Sequence, residues 1–208
     1  MLQYLYRILS ILFPSLEWSV ATSENAIYLT FDDGPVPSVT EFVLDQLKKY
    51  QAQATFFCVG DNVRKHPDIF QRIIAEGHSV GNHTYHHLNG WKHSNADYFS
   101  TIQSCQNIME SAGWVSISKQ LFRPPYGKIL PSQISYLKDK YRIIMWDILT
   151  GDYDPTLAKE KCLAKALTAK AGSIVIFHDS YKAEQNMRFA LPEFLEHYTQ
   201  KGFVFKRL

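Results

Sequence analysis

Ala26-Ile27-Tyr28-Leu29-Thr30-Phe31-Asp32-Asp33-Gly34-Pro35 decides how the rest of this chain is read. Its first six residues are apolar, β-branched or aromatic and suit a short strand, and Asp-Asp-Gly-Pro is a turn sequence. Downstream, Thr40 to Tyr50 carries Phe42, Val43, Leu47 and Tyr50 at helical spacing, and Ala54 to Val59 is a second strand bounded by Gly60. The alternation continues, with helices expected over 67–75, 97–112, 132–140, 158–170 and 187–200. Strands are expected over 78–80, 121–122, 142–146, 173–177 and 203–205. Strand and helix in turn predict an α/β fold, a mainly parallel sheet with helices outside it. The number of units suits a closed or nearly closed barrel, with an open doubly wound sheet as the alternative.

The chain has 208 residues, with no low-complexity tract, repeat or linker to divide it, and reads as one domain. Residues 26–208 form its body. Residues 1–25 are expected to add a short helix and a strand-like Leu16–Val20 packed on that body. The apolar start is interrupted by Arg7 and stopped by Pro14, which is too short for the roughly 20 residues of a membrane span. It also lacks the unbroken apolar centre and cleavage site of a signal peptide, so a cytoplasmic location is expected, with the cell envelope as the alternative. Peripheral membrane contact through residues 1–13 is the second reading of that segment. A formal charge of +2 with no basic run gives no case for nucleic acid. Cys58, Cys105 and Cys162 are odd in number and form no CxxC, so they read as buried free thiols.

The residues able to do chemistry follow the strands. Asp32 and Asp33 come after the first, His83 to His87 after the third and Arg123 after the fourth; Asp147 and Asp152 follow the fifth, His178 and Asp179 the sixth. Sites in parallel α/β folds form at the carboxyl ends of strands, so this pattern points to an enzyme. Adjacent carboxylates on an extended chain face opposite ways. At a turn, however, one can reach a metal while the other reaches a reacting water. His83 and His87, four apart, would lie on one face of a helical turn and chelate one ion. Asp33 would complete a His₂Asp site with open positions for water and substrate. His86, displaced by one residue, should point elsewhere.

Thr30-Phe31-Asp32-Asp33-Gly34-Pro35 and His83-Thr84-Tyr85-His86-His87 resemble the first two motifs of the polysaccharide deacetylases (the NodB-homology group, carbohydrate esterase family 4). Arg123-Pro124-Pro125-Tyr126 resembles the third and Ile176-Phe177-His178 the fifth, in the same order. The resemblance implies a distorted (β/α) barrel of about seven repeats, related to the TIM barrel. It also implies a metal-dependent hydrolase that removes N-acetyl or O-acetyl groups from a carbohydrate, acting on a carbon–nitrogen bond that is not a peptide bond. Asp32 would be the base, His178 the acid, Arg123 and Asp152 their partners, and the Tyr126 N–H an oxyanion donor. Asp33, His83 and His87 would be the metal ligands, holding zinc first, with cobalt or nickel accepting the same donors. Pro125, Trp146, Tyr153 and Ile176 would contact the saccharide.

The fourth motif departs from the family pattern Asp-x-x-Asp-Trp, because Leu149 and Tyr153 stand at its first and last positions while Asp152 is kept. That departure bears on substrate fit. Two rivals follow from it: a hydrolase of another amide or ureide on the same scaffold, and a vestigial carbohydrate-binding protein.

Overall fold

The computed structural model describes residues 11–115 and 119–208. The apolar start of the chain, where the packed helix and the membrane contact were expected, lies largely outside them; no helix among the described residues is long and apolar enough to cross a membrane.

Among the described residues nine strands form one sheet. In chain order they are β1 (Leu16–Glu17), β2 (Ala26–Asp32), β3 (Thr55–Cys58), β4 (Ser79–Asn82), β5 (Gln120–Phe122), β6 (Tyr141–Ile144), β7 (Ile148–Leu149), β8 (Ile174–His178) and β9 (Val204–Lys206). The order across the sheet is β1-β6-β5-β4-β3-β2-β8-β7, with β9 also on β2, and every pairing is parallel. The sheet curls until the segment after β1 meets the start of β8, where Ser19 bridges Ser173 and the Val20 N–H donates to the Gly172 carbonyl at 2.8 Å. The distorted barrel expected from the resemblance is therefore present, closed at this seam by a single antiparallel bridge.

The helices are α1 (Val39–Lys49), α2 (Gly60–Lys65), α3 (Pro67–Ala75), α4 (Asn95–Ser111), α5 (Pro131–Leu137), α6 (Lys159–Ala166) and α7 (Glu184–Gln200). Neither α2 nor β7 was expected from the sequence. Each is too short to show a period of its own. Helix α6 ends at Ala166, short of the expected Lys170, and α7 starts at Glu184, before the expected Met187.

Side-chain parity along β2 and β8 sorts the two faces of the sheet. Ile27, Leu29 and Phe31 of β2, with Val175 and Phe177 of β8, face outward into the large core shared with α1, α3 and α7. Tyr28 and Ile174 face the barrel interior, beside Phe57, Leu121 and Ile144. Continuing that alternation, Thr30, Asp32, Ile176 and His178 also point inward. The paired ends of β2 and β8 thus deliver one carboxylate and one imidazole to the same end of the barrel. All three cysteines are buried and free, as expected from their spacing.

Candidate active site

Parallel register places the site residues opposite one another. Asp32 is paired with His178 across β2 and β8. Beyond β3, Asn82 of β4 is paired with Phe122 of β5, so His83 and Arg123 leave the two strands side by side. The Arg123 N–H donates to the Asn82 carbonyl at 3.0 Å, and its own carbonyl lies 2.7 Å from His83 Nδ1. A carbonyl can only accept, so Nδ1 carries the proton and the Nε2 lone pair is left for a ligand.

The Arg123 side chain is fully buried. Nη1 donates to Asp32 Oδ1 at 2.7 Å and to Thr30 Oγ1 at 2.8 Å, and Nη2 donates to the Met145 carbonyl at 2.9 Å. Its guanidinium also lies over the Phe57 ring, 4.1 Å from the centroid. One residue therefore fixes the tautomer of His83 through its backbone and the orientation of Asp32 through its side chain. Burial by itself would raise the Asp32 carboxyl; the positive charge of Arg123, with His83 and His178 behind it, holds it below the ordinary value of 3.8. Asp32 is held ready as an anion.

Asp33, His83 and His87 offer ligand atoms that all lie within 4.8 Å of one another. Asp33 Oδ1 is 3.3 Å from His87 Nε2 and 3.8 Å from His83 Nε2. Oδ1 is buried and has no hydrogen-bond partner among the described residues. A bare carboxylate oxygen aimed at two imidazole nitrogens is costly unless something positive sits there, and this donor set suits a divalent ion. Burial also pushes His83 down to about 4, so its ring is neutral and able to ligate at physiological pH.

The histidine pair is brought together differently from the sequence expectation. Residues 83–87 form no helical turn; they follow β4 as an irregular loop in which Thr84 (φ 63°) and His87 (φ 54°) are left-handed. Asp33 (φ 85°) and Tyr126 (φ 60°) are left-handed too. Such backbone costs about 1 kcal/mol or more per residue, and its concentration at one place marks a site held by its surroundings. His86 packs edge-on against Tyr85 at 4.6 Å and is outside the ligand group, as expected.

On the opposite wall His178 Nδ1 lies 2.7 Å from Asp152 Oδ1, while Asp152 Oδ2 accepts the His178 backbone N–H at 2.6 Å. Burial alone would lower the imidazole, but fully buried Asp152 overrides it and lifts His178 to about 9. In metal-free protein the His178 ring should therefore titrate near pH 9 by NMR, and in Asp152→Asn its midpoint should fall. An unchanged midpoint in that variant would remove Asp152 from this role.

Asp32, Asp33, His83, His87 and His178 line a cleft of about 390 Å³. Trp146, Tyr153 and Ile176 line it as the resemblance implied, and Leu149 faces it beside Ile176, its partner in β8. Both Pro124 and Pro125 are buried, and it is Pro124 rather than Pro125 that lines the cleft. The Tyr126 ring is largely exposed and packs edge-on against His87 at 4.4 Å.

Other residues at the site escaped the sequence reading. Lys182 stands at the cleft near Tyr153, and Asn186 donates to the Asp152, Asp154 and Leu157 carbonyls, holding the loop that carries Asp152. Asp179, which the sequence reading grouped with the residues able to do chemistry, is fully buried and accepts from Gly34 and Thr40. Asp147, grouped with the chemistry by its place after a strand, instead accepts from the Ser173 hydroxyl and the Ile174 N–H at the far end of β8.

A family model described as polysaccharide deacetylase matches residues 19–141. The chain belongs to the polysaccharide deacetylase family. A peptidoglycan-N-acetylglucosamine deacetylase of Bacillus cereus is 32% identical over 191 residues, 90% of this chain and 88% of that protein. A chitooligosaccharide deacetylase of Azorhizobium caulinodans is 32% identical over 165 residues, 77% of this chain and 76% of its own length. The crystal structure of the Bc1960 peptidoglycan N-acetylglucosamine deacetylase superposes with a TM-score of 0.87 at 30% identity, covering 96% of this chain and 94% of that one. The deacetylases of this family are metal-dependent, and among the described residues Asp33, His83 and His87 form a group that fits an ion.

Proposed function

We propose that this polysaccharide deacetylase hydrolyses the acetamide of N-acetylated amino sugars in a glycan, with N-acetylglucosamine residues as the first substrate. The observation that carries the reading is the facing pair: an anionic Asp32 and a cationic His178, directly opposite in register, beside a carboxylate–bis-imidazole cluster. The names of the relatives support the choice of sugar.

Asp33, His83 and His87 would hold a divalent ion, zinc in our reading, which would supply Lewis acidity to the site. Asp32 takes the proton from the attacking water, and Arg123 keeps the carboxylate ionised until then. The Tyr126 backbone N–H donates to the oxyanion; a well-placed donor of this kind contributes roughly 3–4 kcal/mol in other hydrolases. His178, kept protonated by Asp152, gives its proton to the departing amine, which leaves poorly without it. Trp146 and Tyr153 line the cleft beside the place the sugar would occupy, and Leu149 and Ile176 form an apolar wall. If the glycan is the wall polymer, the protein works in the cell envelope rather than the cytoplasm.

Acetate release from N-acetylglucosamine oligomers and peptidoglycan fragments, set beside ring opening of small cyclic amides, tests the proposal. Zinc-loaded protein should release acetate from the saccharides, chelator-treated protein should not, and re-addition of zinc should restore activity. Turnover confined to the small amides would overturn the choice of substrate.

A further inference from the structure

The residue after the acid has no part in the chemistry above, yet it touches the metal-ligand turn directly. Asp179 lies one step beyond the Asp32–His178 pair in the β2–β8 register, level with Asp33. Its backbone N–H donates to the Asp32 carbonyl at 3.1 Å. Its Oδ1 accepts the Gly34 N–H at 3.0 Å and its Oδ2 accepts the Thr40 hydroxyl at 2.6 Å. The Thr40 oxygen in turn accepts the Val36 N–H at 2.7 Å, on the far side of Pro35. A single buried carboxylate thus grips the turn at residue 34 directly and at residue 36 through one hydroxyl.

That grip falls where the backbone is under strain. Asp33 is left-handed at φ 85°, which turns its carboxylate towards His87 and away from the strand direction. Asn62 Nδ2 donates to the Asp33 carbonyl at 2.7 Å and steadies the outer side. Gly34 has no room for a side chain, since a Cβ there would overlap the Asp179 carboxylate. The packing leaves the turn one conformation, and Asp179 closes it from the inside.

We propose that Asp179 is a positioning residue that holds Asp33 in its ligating conformation, locking the metal-ligand turn to the strand that carries the catalytic acid. The proposal rests on Asp33, His83 and His87 being the metal ligands. Groups that orient first ligands typically account for 10–100-fold in metal affinity.

Cobalt(II) titration of metal-free protein is the test, read by the visible absorption of the bound ion. It is run where circular dichroism shows each variant to be fully folded. Asp179→Asn sets an NH₂ group against the Thr40 oxygen, which already accepts from Val36. Thr40→Val removes the hydroxyl while keeping the side-chain shape, and Thr40→Ser keeps the hydroxyl. The expected result is cobalt affinity about 10–100-fold weaker in Asp179→Asn and weakened in Thr40→Val, with Thr40→Ser close to wild type. A role in stability alone would lower the melting temperature and leave the affinity of the folded protein unchanged. Wild-type affinity in folded Asp179→Asn and Thr40→Val overturns the proposal. If Asp179→Asn does not fold, Thr40→Val against Thr40→Ser decides. His83→Ala separates the two layers: if it binds cobalt as wild type does, the ligand reading fails and this proposal fails with it.

Discussion

Asp32→Asn should stop turnover and keep its metal, whereas His83→Ala should lose the metal. Asp32 is set apart from its neighbour by parity: it points into the barrel from the last position of β2, while Asp33 turns through left-handed backbone to the imidazoles. Asn is nearly isosteric with Asp and its carbonyl oxygen can still accept from Arg123, so the fold and the ligand group should survive. What is lost is the ability to accept a proton from water. Removing a general base of this kind costs about 10²–10⁴-fold in rate, roughly 3–5 kcal/mol at 1.36 kcal/mol per decade. His83→Ala removes one of three ligand nitrogen and oxygen donors, and bound zinc should drop well below one ion per chain. The paired measurements are kcat with N-acetylglucosamine oligomers and metal content after dialysis. Near wild-type kcat in purified, metal-loaded Asp32→Asn would sink the assignment of the base.

The second large effect concerns stability. Arg123→Met in metal-free protein should cost about 3–5 kcal/mol at neutral pH, the usual consequence of leaving one member of a buried ion pair uncompensated. The Asp32 carboxyl is lowered in the folded protein, so the stabilisation it draws from Arg123 is present above 3.8 and is lost as pH falls through the folded value. In Arg123→Met the sign reverses. Burial then dominates, the Asp32 carboxyl rises, and the penalty is relieved as pH falls below that raised value. Urea denaturation at pH 7 and pH 5 should therefore show a smaller difference from wild type at the lower pH. The Arg123→Met/Asp32→Asn double variant should recover most of the loss at pH 7, because the amide that replaces the carboxylate has no charge to leave unpaired. Strictly additive losses would mean that Arg123 stabilises through its contacts with Phe57, Thr30 and the Met145 carbonyl instead.

How much of this was legible before folding depends on the range of the interaction. The run from Ala26 to Asp32 announces a strand by composition alone, and its period of two already implies that Asp32 shares a face with Thr30. The thiols were legible from spacing. The helix over 60–65 was not, because its six residues carry too little apolar periodicity and follow a strand without a linker. The pairing of His83 with His87 was anticipated, but for the wrong geometric reason. Spacing of four suggests a helical turn, and the loop reaches the same proximity through left-handed Thr84 and His87, which no local propensity favours.

The sequence alone determined the alternation of strand and helix, the parity that sends Asp32 into the barrel, and the clustering of polar residues at strand ends. These depend on periods of two and 3.6 and on turn chemistry, all of which act within a few residues. Tertiary structure decided what each polar residue touches. Arg123 reaches Asp32 across 91 positions, His178 reaches Asp152 across 26, and Asp179 reaches Gly34 across 145. It also decided that Pro124 rather than Pro125 faces the cleft and that Leu149 stands beside Ile176 in its wall. Such contacts exist only once parallel pairing has fixed the register of β2, β5 and β8, because register sets which side chains from distant segments stand opposite one another.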